Sequence, residues 1–144
     1  MIVLDSYAVL ALPKDEPAAA PVQVLVESDE PAALTALGVA EVLDHLVRLA
    51  GAEEDEAVLD VAQLGLSSPS PLDVGVAMRS GLLRARHYHR TNRAVSLADC
   101  VAAETARTED ARLASADPHL LDLCREEGIG VIPLPDSAGR TWSP

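Results

Sequence analysis

Four acids in this chain stand where carboxylate chemistry is expected. Asp5 ends the apolar run Ile2-Val3-Leu4. Glu41 lies early in a helical stretch, Asp99 closes Ser96-Leu97-Ala98-Asp99, and Asp117 precedes Pro118 just past the run Arg112-Leu113-Ala114-Ser115. Carboxylates gathered in one pocket repel each other strongly unless a cation neutralises them. An all-oxygen donor set favours Mg²⁺ or Mn²⁺ over zinc. Such an ion activates a water and neutralises charge on a phosphate, which is the chemistry of phosphodiester hydrolysis.

Each acid also has a purely structural use. Asp117 before Pro118 is a good helix N-cap with proline at the first helical position. Asp99, three residues after Ser96, completes a capping box. Glu41 shares a polar face with Asp44, His45 and Arg48. Asp5 follows a buried apolar run directly and has no evident capping need.

The elements that must position these acids are short apolar strands alternating with amphipathic helices. Strands are expected at Ile2–Leu4, Ala32–Ala36, Leu66–Ser68 (an edge strand before the Pro69–Pro71 break), Arg112–Ser115 and Val131–Pro133. Helices are expected from Ser6 to Leu12, Pro17 to Val26, Val39 to Ala50, Glu53 to Leu64, Leu72 to His89, Ser96 to Thr105 and Asp117 to Glu127. Strands alternating with helices give a parallel sheet covered on both faces. Ligands of such sheets bind beyond the carboxyl ends of the strands, where the strand order reverses. Asp5, Glu41 and Asp117 follow strands to that edge. Asp99 reaches it because its helix runs antiparallel to the strand it feeds. One domain over residues 1–135 with a loose tail at 136–144 accounts for the chain, without an internal repeat or low-complexity linker.

Composition bounds the reading. The chain of 144 residues has a net charge of −12, no Phe, two Tyr and one Trp, so its core is built from Leu, Val and Ala and offers no aromatic platform for stacking bases. The charge is uneven: residues 1–73 hold 14 acidic and 2 basic groups, whereas residues 74–144 hold 9 of each. Five arginines (Arg79, Arg84, Arg86, Arg90 and Arg93) cluster in one stretch. Cys100 and Cys124 have no zinc spacing and are expected as buried free thiols. No apolar stretch of 18 residues and no leader-like opening is present, which predicts a soluble, cytoplasmic protein without a membrane partner.

The segments around the acids resemble PIN-domain ribonucleases of the VapC toxin type. Met1-Ile-Val-Leu-Asp5-Ser6-Tyr7-Ala8-Val9-Leu10-Ala11, with Asp15-Glu16-Pro17, is similar to their opening. Thr35-Ala36-Leu37-Gly38-Val39-Ala40-Glu41-Val42 resembles their second acidic segment, and Ser96-Leu97-Ala98-Asp99 with Ala102, Ala103 and Ala106 the third. Leu113-Ala114-Ser115-Ala116-Asp117-Pro118-His119-Leu120 resembles the fourth. The resemblance runs from Ile2 to about Pro135. It implies a three-layer α/β/α fold with a five-stranded parallel sheet, a Mg²⁺ or Mn²⁺ site, endoribonuclease activity on RNA, a cognate antitoxin that blocks the site, and frequent homodimers. Asp5, Glu41 and Asp99 would be the principal metal ligands and Asp117 the fourth catalytic acid. Ser6 would hydrogen-bond near the metal, and Ser115 stands where the family usually has Thr. Relatives often carry a Phe after the fourth acid; Leu120 or Leu121 takes that place here.

Arg84, Arg86, Arg90 and Arg93 are candidates for RNA phosphates, although basic groups near a helix C-terminus also serve the helix itself. Glu104 lies more than one turn past Asp99 and is expected to face solvent. Rival readings separate cheaply. A phosphoacceptor receiver domain needs a lysine near its last strand, and the only one here is Lys14. A DxD phosphatase needs an acid at the position of Tyr7. A non-catalytic PIN-like domain that binds RNA or protein, or an RNA-processing nuclease outside a toxin–antitoxin pair, remains compatible with the residues.

Overall fold

The computed structural model describes residues 1–69 and 71–144; Ser70, inside the expected Pro69–Pro71 break, lies outside the described residues. Buried apolar runs too short for helices form the strands β1 (Ile2–Leu4), β2 (Ala32–Ala33), β3 (Arg112–Ser115) and β4 (Val131–Pro133). They pair in parallel in the order β2-β1-β3-β4, with Val3 beside both Ala33 and Leu113. Between them run α1 (Ser6–Lys14), α2 (Ala19–Glu27), α3 (Ala36–Asp44), α4 (Glu54–Gln63), α5 (Val74–His87), α6 (Leu97–Thr108) and α7 (Pro118–Glu126). A π-helical turn, His45–Leu49, continues α3.

Alternation along the strands sorts their side chains into two cores. Ile2, Leu4 and Ala114 pack with α1, α2 and α3 on one face, whereas Val3 and Leu113 pack with α5, α6 and α7 on the other. The three-layer α/β/α arrangement follows. Cys100 and Cys124 are free and buried in the second core.

The expected fifth strand does not form: the sheet has four strands. Leu66–Ser68 contributes a single parallel bridge, Ala33 to Ser67, with the Ser67 N–H donating to Ala32 O at 2.8 Å. Gly65 turns the chain just before it at φ +65°, and Pro69 has no N–H to continue a ladder after it. Its neighbour β2 is only two residues long, so there is little edge to extend.

Helix ends differ from expectation in instructive ways. α3 starts three residues early because the Thr35 hydroxyl accepts from Gly38 N–H at 2.9 Å, capping it. A Cβ on Gly38 would lie 2.7 Å from Leu34 Cδ1, so a glycine lets α3 close onto the chain leaving β2. α1 runs through Pro13 and stops at Asp15, whose left-handed backbone (φ 49°) returns its N–H to Ala11 O and Leu12 O. Residues 136–144, expected as a loose tail, carry a Pro135–Thr141 bridge and a Trp142 Nε1–H bond to Asp122 at 3.0 Å. No helix among the described residues is long and apolar enough to cross a membrane.

Leu113 is fully buried at the centre of the second core. Leu113→Ala should therefore cost roughly 2–5 kcal/mol of unfolding free energy in urea titrations.

Candidate active site

The parallel order places β1 between strands reached in opposite directions, so the chain leaves β1 and β3 at a point where the strand order reverses. The four expected acids meet there. Asp5, Glu41, Asp99 and Asp117 line one cavity of about 330 Å³, together with Ser6, Tyr7, Asp44 and His45.

Three of the acids are helix caps as well. Asp5 Oδ1 accepts from Ala8 N–H at 2.7 Å at the start of α1. Asp99 Oδ2 accepts from Ser96 N–H at 2.7 Å while Ser96 Oγ accepts from Asp99 N–H, closing the capping box of α6. Asp117 Oδ1 accepts from His119 N–H at 2.8 Å at the start of α7. The structural and chemical readings of these residues therefore coincide: one oxygen caps, and for Asp99 and Asp117 the other makes no hydrogen bond among the described residues. The amino ends of α1, α6 and α7 add partial positive charge at this edge.

Hydroxyls organise the remainder. The Ser115 hydroxyl, fully buried, donates to Asp5 Oδ2 and accepts from Asp117 N–H at 3.0 Å, joining the ends of β1 and β3 to the start of α7. Ser6 Oγ donates to Glu41 Oε2 at 2.5 Å and ties α1 to α3.

Electrostatically the cavity is uncompensated. Burial pushes the Asp5 carboxyl up to about 7, and repulsion from Asp99 and Asp117 adds to it against the pull of Ser115 and Ala8. Asp99 is also raised, by burial and then by Asp117 and Glu41. Among the described residues no ion pair engages any of the four acids. Nor do three of them close into a ready ligand set; they ring the cavity. Four crowded carboxylates that no ion pair engages among the described residues fit a hard divalent cation such as Mg²⁺ or Mn²⁺.

The sequence reading gave Asp44 and His45 no role beyond a solvated face. Both line the cavity, and His45 begins the π-helical turn. Asp44 is held by Arg48 through bonds of 2.9 and 2.7 Å. Glu104 does not face solvent: it is 2% exposed, between Arg79 and Arg107 at 3.4 Å each.

The four candidate RNA-contacting arginines are placed very differently. Arg93 is bidentate on Glu126, at 3.1 and 2.6 Å, with only 17% of its side chain exposed. Arg84 donates to Val95 O at 2.9 Å and stacks over the Tyr88 ring. Arg86 is exposed, 3.9 Å from Glu127. Arg90 is exposed in the turn between α5 and α6.

Comparisons with known proteins bear on the fold and the family. No curated protein matches the sequence. Solved structures do share the fold. VapBC2 from Rickettsia felis, bound to a DNA fragment from its promoter, superposes with a TM-score of 0.67 at 17% identity, covering 92% of this chain and 98% of that one. A toxin–antitoxin complex from Klebsiella pneumoniae gives 0.65 at 16% identity, covering 92% and 96%. VapC20 from Mycobacterium tuberculosis, a sarcin-ricin loop cleaving toxin, gives 0.67 at 15% identity, covering 85% and 94%. The PIN domain profile matches residues 2–126, the stretch that carries all four acids, and the chain belongs to the PIN domain family.

Proposed function

We propose that this chain is a divalent-metal-dependent endoribonuclease that acts as the toxin of a toxin–antitoxin pair. The observation that carries the reading is the cavity itself. Four carboxylates face it without a basic partner, and one of them is buried deeply enough to be raised to about 7. A group of this kind is stable as a set of anions only when a cation completes it. The likeness to one structure described as a toxin–antitoxin complex and to another described as a toxin supports the toxin role and a protein antitoxin as partner.

Asp5, Glu41 and Asp99 would hold Mg²⁺ or Mn²⁺, with Asp117 as the fourth acid. A bound ion there supplies charge neutralisation at the scissile phosphate and a water of lowered pKa. The protein does the rest. Ser115 fixes the Asp5 carboxylate, Ser6 fixes Glu41, and the caps fix Asp99 and Asp117, so the donors keep their positions as RNA enters. Asp117, at the start of α7, would complete the acidic set through a water or a second ion. Of the four candidates, Arg86 and Arg90 are left exposed to meet RNA phosphates, since Arg84 and Arg93 are engaged within the chain.

The primary test is cleavage of structured RNA by the purified chain with Mg²⁺ or Mn²⁺, against EDTA. Asp5→Asn or Asp99→Asn should abolish cleavage and weaken Mn²⁺ binding with the fold intact. Ser115→Ala should lower activity by roughly 10–100-fold through the misplaced Asp5. Wild-type protein that neither cleaves nor binds Mn²⁺ would replace this reading with a non-catalytic one.

Stability in the absence of metal should carry the same signature. The folded value of Asp5, about 7, lies above its ordinary 3.8, so the folded state binds the extra proton between them. The stability Asp5 contributes is thus present at low pH and is lost as pH rises towards 7, by on the order of 4 kcal/mol. Urea titrations from pH 4 to 8 should show this loss in wild type relative to Asp5→Asn, and Mg²⁺ should reverse it at pH 8. A constant difference between the two proteins across that range would contradict the raised value of the buried Asp5 carboxyl.

Arg90→Ala should weaken RNA binding similarly for all sequences and reduce the salt slope by about 1. An unchanged slope would remove Arg90 from the RNA path.

A further inference from the structure

The polar lining of the acidic cavity consists mostly of acceptors. Of the side chains around it, the Ser6 hydroxyl, the Tyr7 hydroxyl and the His45 ring can donate a hydrogen bond. Two of these are committed inside the protein. Ser6 Oγ donates to Glu41 Oε2 at 2.5 Å, and the Tyr7 hydroxyl donates to Glu16 Oε2. The His45 ring has no hydrogen-bond partner among the described residues. Asp44, the acid next to it in the chain, is occupied by two hydrogen bonds from Arg48.

Local structure keeps the half-buried His45 on this side. It follows Glu41 by one helical turn and its N–H bonds to Glu41 O, so the two side chains share a helix face. The His45 carbonyl then opens the π-helical turn, accepting from Ala50 N–H at 3.0 Å, five residues on. Such turns are rare and gather at functional sites. Leu46, the next residue, packs on the first core and anchors the backbone beside the ring.

A phosphodiester brings the complementary need. Its non-bridging oxygens accept hydrogen bonds and donate none, and carboxylates have none to give them. On the nuclease reading, on which this inference rests, we propose that His45 donates a hydrogen bond to a non-bridging oxygen of the scissile RNA phosphate. His45 and the four acids share one cavity, so the phosphate that meets an ion held by the acids is also the phosphate within reach of the ring. At least one ring nitrogen carries a proton whether the imidazole is neutral or charged, so the contact needs no titration of the ring. The ligand is the RNA backbone and not a base, and the contact serves every sequence alike.

Cleavage kinetics with Mn²⁺ test the contact. His45→Ala should lower kcat/KM by about tenfold or more, with Mn²⁺ affinity and thermal unfolding as in wild type. His45→Gln keeps a side-chain N–H and should recover part of the loss. A scissile phosphorothioate isolates the contact, because sulfur is a weak acceptor. For one of its two diastereomers, the slowing seen in wild type should be absent in His45→Ala. Binding supplies a readout without turnover. In Asp117→Asn protein, which keeps Asp5, Glu41, Asp99 and a capping side chain, adding His45→Ala should raise the RNA Kd in Mn²⁺ about tenfold by fluorescence anisotropy. Active wild type beside an equally active His45→Ala, or equal phosphorothioate slowing of both proteins for both diastereomers, would overturn the role of His45 and leave the nuclease standing. Wild type that neither cleaves RNA nor binds Mn²⁺ would overturn both.

Discussion

Burial of the Asp5 carboxylate, at the end of a strand in the middle of the sheet, is the constraint on which the rest of this molecule turns. A carboxylate removed from water is costly unless it is hydrogen-bonded or neutralised. Here the Ser115 hydroxyl, the Ala8 N–H and the amino end of α1 supply part of what is lost, and none of them carries a full charge. Asp99 and Asp117 then arrive at the same edge for local reasons, since each caps the helix that begins there. Convergence follows from the topology. Helices that begin beyond the carboxyl ends of parallel strands bring their caps together, and acidic caps bring their charge with them.

Much of this was legible in the sequence, and for identifiable reasons. Ile2–Leu4, Arg112–Ser115 and Val131–Pro133 are found as strands at the expected residues, because short apolar runs bounded by acids or turn formers have few other fates. The capping signals at Ser96 and at Asp117-Pro118 mark the helix starts that carry two of the acids. The misses share a cause, which is that sequence shows spacing and not neighbours. Leu66–Ser68 has strand composition, but a strand needs an edge to pair with and β2 offers only two residues. Glu104 reads as a solvent-facing helical acid until α5 and α6 bring Arg79 beside it. Arg84 to Arg93 read as a basic patch, yet much of that charge is spent on Glu126, Glu127 and a backbone carbonyl.

That internal use of arginine bears on the acidity of the whole chain. The end of α5 is tied to the end of α7 through His87 and Arg93 on Glu127 and Glu126, and Arg107 joins from α6. Helices covering one sheet face are thereby locked at their ends by ion pairs, including partly buried ones where the attraction is less screened. Much of the arginine in residues 74–144 is thus structural. On the proposed function, little surface charge is left to draw in a polyanion, and the attraction at the cavity must come largely from the cation the carboxylates hold.

The double duty of the aspartates sets how this protein can lose its activity over generations. Asp5, Asp99 and Asp117 each cap a helix start, so in a lineage released from any catalytic demand folding would still hold these positions to residues that cap, aspartate or asparagine. Glu41 caps nothing; among the described residues the Ser6 hydroxyl is the hydrogen-bond partner of its carboxylate. On the proposed function, drift should therefore show itself first at Glu41, and a descendant that keeps capping residues at the other three positions but has replaced this glutamate would be a scaffold preserved after its chemistry had gone.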